Sequence, residues 1–104
     1  MKKHEKHIER NDLKGATHLE VSVYYTKGGM SYFTGGTTPR GYYLSVRPIT
    51  KGNGTVSFDL FAGHKQLLLE TNRYTDKQFD RAVNMATDYE DRLVETVVAD
   101  NKAA

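Results

Sequence analysis

Hydrophobic and polar residues alternate most clearly between residues 17 and 26, where Leu19, Val21, Val23 and Tyr25 interleave with His18, Glu20, Ser22 and Tyr24. A period of two in β-branched and aromatic residues marks a strand with one buried face. The same alternation returns over residues 41–49, with Tyr42, Leu44 and Val46 set against Tyr43, Ser45 and Arg47. Pro48 has no amide donor, so it is expected at a strand end or an edge. Lys51-Gly52-Asn53-Gly54 then predicts a hairpin turn, followed by a third strand over 55–62 with Val56, Phe58 and Leu60 inward. Gln66 to Glu70 carries three leucines and reads as a fourth strand or as a continuation of the third past Gly63.

After Thr75 the period changes. Phe79, Ala82, Val83, Ala86, Tyr89, Leu93 and Val97 recur at steps of three and four, while Lys77, Asp80, Arg81, Asp88, Asp91, Arg92 and Glu95 occupy the other side. This predicts one long amphipathic helix lying on a sheet. Thr75-Asp76-Lys77-Gln78 matches a capping box at its start. About 24 residues at about 1.5 Å each would span about 36 Å, enough to cover the strands. The expected fold class is therefore α+β: an antiparallel three- to four-stranded sheet in β-β-β-α order against one long C-terminal helix.

Residues 1–16 are charged and nearly devoid of large apolar side chains apart from Ile8 and Leu13. They are expected to be flexible or a loosely docked helix. Residues 17–100 then form one α+β domain, and 101–104 a tail. Residues 27–40 hold two Gly-Gly pairs and Pro39, so they predict turns around a short strand at 30–34.

Composition narrows the function classes. The 104 residues suit one domain. There is no cysteine, which excludes disulfides, thiolate metal sites and cysteine nucleophiles. No run approaches the roughly 20 apolar residues of a membrane span, and no apolar stretch follows the basic start, so a cytoplasmic protein with no membrane partner is expected. The net charge of +2 is uneven: residues 75–104 hold four basic and seven acidic side chains, and the rest of the chain is mildly basic.

Candidate chemistry is sparse. Gly35-Gly36-Thr37-Thr38-Pro39-Arg40-Gly41 resembles a phosphate cradle only superficially, because a strand rather than a helix follows it. His4, His7, His18 and His64 are scattered along the chain and give no ligand spacing, so no metal or other cofactor is expected. Ser45 and Ser57 lack a nucleophile turn. The reading is of a non-enzyme.

Two binding readings remain. Lys27, Arg40, Arg47 and Lys51 among Tyr32, Phe33, Tyr42 and Tyr43 suit a nucleic-acid binder. Against it, the outer sheet face carries Glu20 and Asp59 beside a single firm cation, Arg47, whereas phosphate contacts need a basic surface. The same face is rich in tyrosine and serine, and the adjoining loop adds glycine, a composition suited to protein contact. Tyr24, Tyr32, Phe33, Arg40, Tyr43 and Arg47 are the expected contact residues, with another protein as partner and nucleic acid as the alternative.

The strand-then-helix order resembles the sheet-reading DNA-binding domains of the AP2 and transposon-integrase type, although the outer face lacks their arginine-rich pattern. A helix over 2–14 would make the order resemble double-stranded-RNA-binding domains, but Thr75-Asp76-Lys77-Gln78-Phe79-Asp80 stands where those carry a lysine cluster. The stretches Arg40-Gly41-Tyr42-Tyr43-Leu44-Ser45-Val46 and Arg73-Tyr74-Thr75-Asp76-Lys77-Gln78-Phe79-Asp80 resemble short proteins encoded by phages and mobile elements of gut-type bacteria. Anti-CRISPR and anti-restriction inhibitors occur among such proteins. The resemblance implies an inhibitor of a defence nuclease that acts by protein–protein contact.

Overall fold

A computed structural model describes residues 3–30, 35–59 and 62–102. Its centre is the strand predicted at 41–49, extended here to β5, Gly41–Gly52, with β1, His4–Glu9, and β2, His18–Thr26, in order on one side. The opposite edge of β5 is shared. β7, His64–Glu70, pairs with residues 41–46, and β6, Thr55–Phe58, pairs with residues 49–52. Every pairing is antiparallel. Pro48 lies inside the long strand rather than at its end, in the interval where neither β7 nor β6 pairs with β5, a place that suits a residue with no amide proton. A separate two-stranded arm joins β3, Gly29–Met30, to β4, Thr37–Thr38.

Local chemistry explains these joints. Asn53 and Gly54 both have positive φ, 51° and 76°, as a two-residue hairpin of type I′ requires. The chain passes from β6 to β7 close against β5. A Cβ on Gly63 would stand 2.7 Å from both Arg47 Cβ and Val46 O, so only glycine fits there without a shift.

The fold is α+β as expected, but its C-terminal region is not one long helix. α1 spans Asp76–Ala86 and α2 Glu90–Asp100. Thr75 caps α1, its Oγ1 accepting from the Gln78 amide at 3.2 Å. At residues 87–89 the bonding tightens: the Asp88 and Tyr89 amides reach back three residues, to Met85 O and Ala86 O. Thr87 Oγ1 donates to Asn84 O at 2.7 Å, the kind of local bond by which threonine competes with helix continuation. The apolar face survives the break, with Phe79, Ala82, Ala86 and Val97 all buried.

The core lies between the helices and one face of the sheet. Leu19, Val21, Tyr42, Leu44 and Val46 are fully buried there, as the alternation predicts. Tyr42 fastens the two layers together: its ring meets Phe79 edge-on at 6.3 Å and its hydroxyl donates to Thr75 O at 3.2 Å.

Three expectations change. Residues 4–9 are an edge strand, not a flexible segment or helix; Ile8 packs on the core and Leu13 is buried. The strand takes its ladder from β2, which a segment poor in apolar residues can do without burying much. Residues 101 and 102 are fastened rather than loose, since Lys14 N donates to Asn101 O at 2.7 Å and Leu13 bridges Lys102. Val56 and Phe58 do not point inward: they are 49% and 46% exposed, because their partners on β5, Lys51 and Ile49, lie on the face away from the helices. Leu60 lies outside the described residues. No described helix is long and apolar enough to cross a membrane.

Candidate functional site: the open face of the sheet

Opposed residues in an antiparallel ladder share a face, so the register defines the side that no helix covers. β1 contributes Glu5 and His7, opposite Ser22 and Glu20 of β2; these stand beside Ser45 and Arg47 of β5. At the middle of this face Glu20 is buried, with only 7% exposed. Arg47 donates to its Oε1 from Nε at 2.8 Å, Nη2 lies 2.8 Å from the same oxygen as an ion-pair contact, and the guanidinium lies over the Phe58 ring, 3.7 Å from its centre. The His7 ring nitrogen Nε2 is 3.3 Å from the other oxygen, Glu20 Oε2. Lys3, bonded to Glu5, holds the Glu5 carboxyl below the usual carboxylate range, against a smaller opposing effect of desolvation. Beside this network runs a groove of about 520 Å³ whose lining includes Tyr24, Ser22, Ser45, His64 and Lys65.

The expected contact residues fall in two places. Tyr24 is half-buried on the open face and stacks on Tyr43, ring centres 5.8 Å apart. Tyr43 is buried, and its hydroxyl is spent on Pro39 O at 2.7 Å, so it supports Tyr24 and offers little surface of its own. Burial pushes both hydroxyls above the ordinary tyrosine range, helped for Tyr24 by Tyr43 and for Tyr43 by the charge of Glu70. Arg47 is committed to Glu20. Arg40 is exposed at the end of the sheet, its Nε donating to Lys27 O at 3.1 Å. There it lines a recess of about 500 Å³ with Tyr25, Lys27, Asn72 and Tyr74, where Tyr74 stacks on Tyr25 at 4.7 Å. Tyr32 and Phe33 lie outside the described residues.

Several residues of the open face escape the sequence reading. Among the described residues four large apolar side chains are exposed: Met30, Val56, Phe58 and Tyr74. Three belong to this face, since Met30 shares a shallow recess with Tyr24 and Lys65 and Val56 and Phe58 are placed there by register. Glu5 and His7 also join it. Their signal was the alternation of Glu5, His7 and Glu9 with His4, Lys6 and Ile8, which is a strand period written in charged residues. No family model matches the chain, and no curated protein and no solved structure matches it.

Proposed function

We propose that the chain is a small non-enzymatic binding module whose open sheet face contacts another protein. The observation that carries this reading is the exposure of large apolar side chains on the side of the sheet without helices: Val56 and Phe58, 49% and 46% exposed, at the β6 end, and Met30, 76% exposed, on the arm beside Tyr24 at the other end. Val56 and Phe58, neighbours on one side of β6, give that side an exposed apolar patch, and such patches on a folded domain commonly mark contact surfaces. Acidic Glu5 and Glu20 offset the cations of this face, which favours a protein over a phosphate backbone. The lack of cysteine suits a cytoplasmic setting. The resemblance to mobile-element inhibitors makes a bacterial defence nuclease the first partner to try.

The test is capture from a nuclease-treated bacterial lysate by the tagged chain, beside a Met30→Ser/Phe58→Ser double variant. A partner held by the first and lost by the second supports the reading. Equal capture by both chains, or a partner lost on nuclease treatment, contradicts it.

Among the described residues, the recess at the sheet end favours a nucleic-acid reading. Lys27 and Arg40 flank the stacked pair Tyr25 and Tyr74 there, and no acidic side chain lines it. Single-strand binding at this recess would weaken steeply with salt and fall on Tyr74→Ala.

A further inference from the structure

We propose that Glu5, His7 and Glu20 form a binding site for one divalent transition-metal cation, zinc or manganese. The site requires the edge strand. Glu5 and His7 are two apart on β1 and so share its open side, and Glu20 of β2 is the residue directly opposite His7. One donor atom from each lies within 4.8 Å of the other two.

The geometry around Glu20 separates a ligand set from an ordinary ion-pair cluster. Arg47 engages Oε1, by the Nε hydrogen bond and by the Nη2 ion-pair contact. That fixes the carboxylate and leaves Oε2 facing His7 Nε2 at 3.3 Å. The separation is long for a charge-assisted hydrogen bond, which runs about 2.7–2.9 Å. It matches the edge of a coordination shell: two ligands about 2.1 Å from a metal stand about 3.0 Å apart at a right angle and about 3.4 Å apart at the tetrahedral angle. Arg47 thus stands where an outer partner would orient a ligating carboxylate.

Glu5 completes the set. Its Oε2 is 3.0 Å from Lys3 Nζ, whose side chain is 77% exposed, so that pairing is weak and yields to a cation. The Glu5 side chain has freedom at the sheet edge to close the remaining distance by a rotamer change. Two carboxylates set beside one another repel, and a divalent ion between them turns that repulsion into binding. The groove beside Glu5 and Glu20 leaves room for waters to fill the other positions. One imidazole with two carboxylates and no thiolate suits zinc or manganese better than calcium, which takes six to eight oxygens, or magnesium, which keeps its waters.

The experiment is calorimetric titration of the full chain with zinc chloride and with manganese chloride, followed by the imidazole nitrogen spectrum of the zinc-loaded protein. The expected result is saturable one-to-one binding of at least one of the two metals, weakened tenfold or more by His7→Gln and by Glu20→Gln, with the His7 Nε2 resonance moved by zinc. His64→Gln leaves it unchanged. His7 reaches solvent, so His7→Gln keeps the test sound even where Glu20→Gln, which strips Arg47 of its charged partner, fails to fold. No saturable one-to-one binding of either metal means an ion-pair network only and overturns the proposal; so does binding that survives His7→Gln or disappears in His64→Gln.

Discussion

Arg47 holds Glu20 by one oxygen, with Nε and Nη2 both 2.8 Å from Oε1. The pair crosses from β5 to β2 on the uncovered side of the sheet, with the carboxylate buried and the guanidinium over the Phe58 ring. A charge in that position is tolerated only with its partner. Arg47→Ala is expected to lower stability by about 2 kcal/mol, the scale of lost hydrogen bonds to a charged group. Replacing both members with Glu20→Leu and Arg47→Met should recover most of that loss, because no uncompensated charge is then left behind. Urea melts of the wild type, the single variant and the double variant measure it.

The edge strand gives a second prediction. Leu13 is buried and the segment around it is tied to Asn101 and Lys102. Leu13→Ala should therefore cost about 2–3 kcal/mol, and removal of residues 1–14 should lower the melting temperature. A removable flexible tail would leave it unchanged.

Much of this fold was legible in the chain, and the failures have physical causes. β2 and β5 were readable because Leu19, Val21, Leu44 and Val46 alternate with polar residues, and the core faces came out as that pattern requires. The Asn53-Gly54 turn and the Thr75 cap were readable because each depends on a few adjacent side chains. β1 was not, since its period is carried by charges, and its ladder comes from β2 rather than from its own apolar residues. Hydrophobicity alone points Phe58 and Val56 inward, whereas pairing with Ile49 and Lys51 turns them outward. The break at residues 87–89 was hidden because the apolar face continues across it. Strand spacing places Tyr24 and Arg47 on the outer face, where the register has them, but the convergence of Glu5, His7 and Glu20 depends on a strand pairing that spacing alone does not reveal.

Gly63 tests the close passage between β6 and β7. Gly63→Ala puts a methyl 2.7 Å from Arg47 Cβ and Val46 O and should cost about 1–3 kcal/mol, as overpacking does. Gly52→Ala, with no atom within 4 Å of the added carbon, should cost clearly less. Denaturant midpoints of the two variants give the comparison.

The buried tyrosines set the alkaline limit. Burial raises the Tyr24, Tyr42 and Tyr43 hydroxyls in the folded chain. Because the folded state favours the neutral form, this stabilisation is complete below the ordinary tyrosine value of about 10 and is lost as pH rises toward the raised folded values. Tyrosinate absorbance should show these three ionising later than in the unfolded chain, and stability from urea melts should decline above about pH 10.

The sheet face carrying Val56 and Phe58, with Met30 on the adjoining arm, is the proposed contact with a partner protein. A photo-crosslinking amino acid placed at Val56, compared with one at exposed Asn84 on α1, tests it most directly in nuclease-treated bacterial extract. The account predicts a discrete crosslinked protein from position 56 and none from position 84. Crosslinking from position 84 with none from position 56 would contradict it.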